Sequence, residues 1–151
     1  MVIVVGQNSA LCPGAQFAKI QDAVNAASSG DTIQICPGTY TEQVSITKPR
    51  ELNGNNGAVI RPSNVVATST GLASGQPIAA IVLVQDTADV TIRNVIIDGT
   101  DNGVAECTPD LIGVFYRNAS GELVHRGSSS QSCRWAGRNE DLRCARRPSL
   151  K

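Results

Sequence analysis

The chain has 151 residues, 41% of them hydrophobic but only 3% aromatic, with equal numbers of acidic and basic side chains. That length gives one domain with a real core. The shortage of rings means a core of Val, Ile, Leu and Ala, which suits thin layers of β-branched side chains. A formal net charge of zero argues against a dedicated nucleic-acid binder, and no apolar run nears the roughly 18 residues that cross a membrane.

The neutrality is the sum of two unlike parts. Residues 1–125 carry six Lys/Arg against eleven Asp/Glu, whereas residues 126–151 carry seven against two. The apolar periodicity also stops at this boundary. The tail RGSSSQSCRWAGRNEDLRCARRPSLK reads either as a basic arm or as a disordered or aberrant stretch, such as a coding region read out of frame after Val124 or His125. The abrupt change of style favours the second. The expected division is therefore residues 1–125 as the structured part and 126–151 as a tail.

In chain order, MVIVV is too short for a signal-peptide core and has no basic flank, so it reads as the first strand of a mature domain. Phe17, Ile20, Val24 and Ala27 make one stripe at helical period, predicting a helix over about 16–28 that Ser28-Ser29-Gly30-Asp31 ends with a left-handed cap. Thr32–Ile35 alternates as a strand, Pro37-Gly38 turns the chain, and Val44–Thr47 alternates again. Leu52 and Ala58–Ile60 follow between the corners Asn53-Gly54 and Asn56-Gly57. After a polar loop from Pro62 to Pro77 come short pulses at 81–84, 90–92, 95–97, 112–115 and 123–124. Strands of three to five residues, with corners that lack hairpin symmetry, favour a solenoid over a sandwich or barrel. In VTIRNVIIDG, a corner at Arg93-Asn94 would let Val90, Ile92, Val95 and Ile97 all point inward.

The run from Phe17-Ala18-Lys19-Ile20-Gln21 through Gly30-Asp31, Pro37-Gly38-Thr39-Tyr40-Thr41-Glu42 and Val44-Ser45-Ile46 closely resembles the N-terminal cap and first coil of right-handed parallel β-helix proteins of the pectin lyase-like superfamily. VTIRNVIIDG resembles their recurring rung, and the resemblance covers roughly residues 2–124. It implies an all-β, right-handed parallel β-helix in which Phe17, Ile20 and Val24 sit on the first rung and protect an otherwise open strand edge. It does not imply one activity, because pectinesterases, lyases, hydrolases and adhesins share the fold. At about 25–30 residues per coil, residues 30–124 make three or four coils, fewer than active enzymes of this fold carry. The expected function is an exported or cell-surface protein that binds or processes acidic polysaccharide, truncated C-terminally and without a complete catalytic cleft. The alternative is a structural or adhesive solenoid.

Chemistry-bearing residues are sparse. Asp86, Asp89, Asp98, Asp101 and Asp110 fall at successive corners; Asp86, Asp98, Asp101 and Asp110 are the substrate-binding candidates. Stacked carboxylates would take Ca2+, the one cofactor this pattern suggests, although Asp at a β-corner more often caps backbone amides. Asp98 and Asp101 are also a candidate pair for glycoside hydrolysis, in a DGTDNG context that reads as a turn. Gln85-Asp86-Thr87 resembles a pectinesterase segment, but the companion nucleophile and arginine motifs are missing. Arg134-Trp135 is only a faint echo of the latter. Tyr40 and Glu42 are expected to pin the corner after Pro37, a structural role preferred over catalysis by Glu42. His125 stands alone, and Asn118-Ala119-Ser120 fits a glycosylation sequon but also a corner asparagine. No catalytic residue is assigned.

Among five cysteines, Cys12 and Cys36 are placed to tie the helix to the first coil. A bridge closing about 24 residues would contribute roughly 3 kcal/mol. Zinc is disfavoured because no Cys-x-x-Cys pair exists. Cys107, Cys133 and Cys144 are left without an assigned partner. Acidic polysaccharide is the expected partner, without nucleic acid or a membrane span, and an open last rung would favour self-association.

Overall fold

A computed structural model describes residues 1–71, 73–104 and 108–124. The expectations for the 126–151 tail, and for Cys107, His125, Cys133, Arg134, Trp135 and Cys144, fall outside those residues.

Three sheets wind around one another. The first contains β1 (Val2–Val5), β2 (Thr32–Ile35), β5 (Glu51–Gly54), β9 (Val90–Arg93) and β12 (Gly121–Val124) in that order. The second stacks β3 (Gly38–Tyr40), β6 (Ala58–Ile60) and β10 (Ile96–Ile97). The third stacks β4 (Val44–Ile46), β8 (Pro77–Gln85) and β11 (Asp110–Arg117). All of these pairings are parallel. From β2 to β11 the chain visits the three sheets in rotation, so each of these three coils adds one strand to each sheet, as in a parallel β-helix; the turn before them, between β1 and β2, carries the helix instead.

The core is a set of in-register ladders. Ile3, Ile33, Leu52, Ile92 and Leu123 stack through the first sheet. Tyr40, Ile60 and Ile97 stack through the second. In the third, Val44, Val82 and Val114 form one ladder and Ile46, Val84 and Tyr116 another. Ile33, Leu52, Ile60 and Val84 have no exposed surface. Each layer therefore removes its apolar side chains from water by contact with the layers above and below. Turn length is free to vary. Val2 pairs with Thr32, Thr32 with Glu51, Glu51 with Thr91 and Val90 with Gly121, so successive turns use 30, 19, 40 and 31 residues.

The cap helix α1 spans only Ile20–Ala26, shorter than the expected 16–28. Phe17 instead makes an isolated parallel bridge with Val5, extending the β1 layer rather than the helix. Ile20 and Val24 are buried as expected, while Phe17 is half-buried. The expected glycine cap is also displaced: the helix ends through Ala27 in extended conformation, and Gly30 (φ 85°) serves the turn into β2.

Two strands of the third sheet exceed the expected three to five residues: β8 has nine and β11 eight. The reason lies in the polar loop before β8, which is partly structured. Its β7 (Ser69–Thr70) folds back antiparallel on Pro77 and Ile78, giving the start of β8 a partner on the edge that β4, paired only with Val82–Val84, leaves open; on the other edge β11 pairs from Ile78 onward. Alternation also breaks inside β8, where Ile81 and Val82 both enter the core. At this kink the Ala80 N–H donates to Thr68 Oγ1 (3.1 Å), and its carbonyl accepts from Gln43 Nε2 (2.8 Å). The Arg93-Asn94 corner falls where expected, with Asn94 left-handed at φ 56° and Val90, Ile92 and Val95 buried.

Candidate functional site

Glutamine side chains close the N-terminal end of the coil. Gln21 Oε1 accepts from Ser45 N–H (2.7 Å) and its Nε2 donates to the Ser45 carbonyl (3.2 Å), so one side-chain amide occupies the position of a neighbouring strand along β4. Gln16 does the same for β1: its Oε1 accepts from Val4 N–H (3.0 Å) and its backbone N–H donates to the Val4 carbonyl (2.8 Å). Strand edges that would otherwise recruit another chain are thereby satisfied. Glu42 works from the other direction. Its two carboxylate oxygens accept the N–H groups of Ile20 (2.8 Å) and Gln21 (2.9 Å), the first free donors of α1. An acceptor 21 residues downstream thus does what a local N-cap usually does; Lys19 at the N-cap makes no side-chain bond. Glu42 therefore fastens the helix rather than the Pro37 corner. The corner belongs to Tyr40, whose hydroxyl donates to the Cys36 carbonyl (2.9 Å). Burial, followed by the neighbouring Glu42 charge, pushes the Tyr40 phenol upward from its ordinary pKa.

A recess of about 330 Å³ opens beside this cap, lined by Gln7, Lys19, Gln21, Asp22, Thr41, Glu42 and Gln43. Its central polar groups, Gln21 and Glu42, are already committed to backbone. The expected Cys12–Cys36 disulfide is present, with the Cα atoms 6.2 Å apart. Gly6 makes room for it, since a Cβ there would lie 2.7 Å from Cys12 Cβ.

The four aspartate candidates do not form one cluster. Asp86 follows β8, is left-handed (φ 52°), and accepts from Asn118 Nδ2 at 2.9 Å, one coil further on. Asp98 follows β10 and meets Arg61, whose Nε and Nη2 both approach Oδ2 at 2.7 Å, while Oδ1 accepts from Thr100 N–H (2.9 Å). Burial is the strongest single influence on Asp98 and acts upward. The Thr100 amide and hydroxyl and the Arg61 guanidinium together outweigh it, so the carboxyl lies below its usual range. Asp101 is exposed and left-handed (φ 51°). Asp110 is half-buried at the start of β11. Among the described residues no group of three His, Cys, Asp or Glu side chains could hold a metal ion.

A different surface combines an aromatic ring, a cation and amides. On the third sheet Ser45, Leu83 and Phe115 are in register. Val114 and Tyr116 pack against the core and Phe115 does not, so alternation turns Phe115 outward. Two residues further on, Gln85 pairs with Arg117, whose Nη1 bonds Ser69 Oγ and the Thr70 carbonyl (3.1 Å). Gln43 holds the same loop at Val66, donating to its carbonyl (3.0 Å) and accepting its N–H (2.9 Å). The loop thereby forms a wall beside a strip of Phe115, Gln85 and Arg117, with Asp86 adjoining the strip. The sequence alone does not single out Phe115 and Arg117: the Phe-x-Arg spacing puts both on one face of a strand, but only the register with β8 shows that this face is the outer one.

No family model matches the chain, and no curated protein does. A solved pectin methylesterase mutant in complex with a hexasaccharide superposes with a TM-score of 0.53 at 19% identity, covering 78% of this chain and 42% of that one. The chain has the parallel β-helix fold. A second pectin methylesterase–hexasaccharide complex aligns over 80% of this chain and 45% of that one, at 20% identity and a TM-score of 0.44. This β-helix spans less than half the length of either protein. Likeness at that identity gives the fold and not the chemistry. No helix among the described residues is long and apolar enough to cross a membrane.

Proposed function

We propose that this β-helix is an exported protein that holds acidic polysaccharide on the outer face of its third sheet, without a complete catalytic cleft. The observation that carries the proposal is the strip of Phe115, Gln85 and Arg117 beside the wall made by the 62–77 loop. A ring offers a flat apolar face to a pyranose, and a guanidinium pairs with a uronate carboxylate. The fold neighbour with a bound hexasaccharide makes a sugar chain the natural ligand class, and the Cys12–Cys36 bridge suits an oxidising compartment. Of the four aspartate candidates, Asp110 begins β11 and Asp86 follows β8 directly, so these two are the ones we propose as contributors to such a surface, directly or through Ca2+. Asp98 and Asp101 follow β10. The rigid-spacer alternative draws on the outer face of the first sheet, where Glu51 pairs with Arg93, and Asn53 accepts from Asn94 (3.0 Å).

The test is calorimetric titration with oligogalacturonate, with and without Ca2+, alongside esterase and lyase assays on polygalacturonate and its methyl ester. Phe115→Ala and Arg117→Ala are each expected to weaken binding about tenfold, the size of one desolvated contact. Wild type that binds nothing, or two variants that bind as wild type does, would refute the site. Turnover by the wild-type chain would overturn the non-catalytic part.

A further inference from the structure

Three Asn-Gly pairs occur in the chain: Asn53-Gly54, Asn56-Gly57 and Asn102-Gly103. In such a pair the glycine N–H can attack the asparagine side-chain carbonyl, because no Cβ on the following residue obstructs the approach. As sequences the three are equivalent. The fold makes them different.

Asn53 lies within β5, where Oδ1 accepts from Asn94 Nδ2 (3.0 Å) and its backbone carbonyl accepts from Gln34 Nε2 (3.0 Å). Gly54 is buried against the Asn94 carbonyl, with no room for even a Cβ. The extended backbone and the packed neighbour keep the Gly54 nitrogen from its target. Asn102 is held at both ends of its side chain: Nδ2 donates to the Gly99 carbonyl and Oδ1 accepts from Val104 N–H (2.8 Å). Its backbone carbonyl also accepts from Val65 N–H (3.0 Å). Asn56 has none of these restraints. Asn56 and Gly57 are both exposed, Gly57 is left-handed at φ 95°, and no described residue bonds the Asn56 side chain or the Gly57 N–H.

We infer that Asn56 is a site of spontaneous backbone modification, converting to aspartyl and isoaspartyl forms in the folded protein while Asn53 and Asn102 are protected. The Gly57 amide loses its proton and its nitrogen bonds to Asn56 Cγ. The Cγ–Nδ2 bond breaks and ammonia leaves, closing a succinimide. Water then adds to one of the two ring carbonyls, the bond from that carbonyl carbon to the ring nitrogen breaks and the nitrogen takes back a proton: cleavage at Cγ leaves an aspartyl residue in the ordinary linkage, and cleavage at the main-chain carbonyl leaves an isoaspartyl linkage with one extra main-chain carbon. Either product places a carboxylate at this corner. The isoaspartyl form also lengthens the turn in which Ala58 N–H bonds the Asn55 carbonyl (2.9 Å) and Gly38 N–H bonds the Gly57 carbonyl (3.1 Å).

The experiment ages the full chain at mildly alkaline pH and follows each Asn-Gly peptide by mass spectrometry, with isoaspartate scored by methyltransferase labelling. A parallel sample is aged in denaturant with the disulfide reduced. In native protein Asn56 is expected to convert at least about tenfold faster than Asn53 or Asn102, equivalent to a barrier difference of one decade in rate. In denaturant the three rates should come together. Asn53 or Asn102 keeping pace with Asn56 in the native sample, or Asn56 remaining intact there, would overturn the inference. Asn56→Gln should abolish the native signal and leave the denatured-state conversion of the other two unchanged; persistence of the native signal in that variant would equally refute the assignment.

Discussion

Replacing Glu42 with alanine removes both acceptors that satisfy the start of α1. Two N–H groups, those of Ile20 and Gln21, lose bonds of 2.8 and 2.9 Å to a carboxylate. A lost N-cap costs about 0.5–2 kcal/mol and a lost bond to a charged group about 1.5–3. Because the adjoining recess admits water to the freed amides, the expected total is about 2 kcal/mol rather than the sum of those figures. Glu42→Gln keeps one carbonyl acceptor and gives up the charge, so about 1 kcal/mol is expected. Urea unfolding followed by circular dichroism reads both values, and for a chain of this size the alanine variant should melt roughly 6 °C below wild type. An alanine variant within about half a kcal/mol of wild type would show that the carboxylate contributes no net capping. A glutamine variant as damaged as alanine would show that charge alone, and not the pair of bonds, is responsible.

Acid should weaken the N-terminal layer through Asp31, whose carboxylate accepts from the Met1 ammonium (3.0 Å) and from Ser28 N–H (2.8 Å). The ammonium bond is the main reason its pKa is lowered in the fold. Its stabilisation is therefore complete well above the unfolded value of about 3.9 and disappears as pH falls through the lower folded value; Asp31→Asn should flatten this part of the stability–pH curve. Leu52→Ala empties the middle of a five-residue ladder and should cost about 2–5 kcal/mol by denaturant titration, whereas the same change at half-buried Leu123, in the last described layer, should cost clearly less.

Legibility followed the kind of force involved. The ladders at Ile33, Leu52, Ile60 and Ile92 were readable because period-two alternation and corner residues act within a few positions of each other. The Asn94 corner was readable for the same reason. The Cys12–Cys36 pairing followed from placing each cysteine against those elements. The roles of Gln21, Glu42 and Gln43 were not readable as they fell out, since each bonds backbone more than twenty residues away and no local pattern records the partner. The lengths of β8 and β11 were hidden for a similar reason. Ile81 and Val82 break alternation, and the interruption is satisfied by Thr68 and Gln43 side chains. The Phe115–Arg117 strip was missed because its meaning depends on which face of β11 is outward, and register alone decides that.

Turns of 19 and 40 residues support the same ladder without a break in register. Height in this fold is consequently counted in layers, at about 4.8 Å each, and is indifferent to how much chain each layer consumes. Residues added between β6 and β8 widen the molecule sideways and leave the axial spacing of every outward side chain unchanged. The column acts as a ruler with fixed graduations, and its corners are where sequence can be gained or lost without altering what the ruler measures.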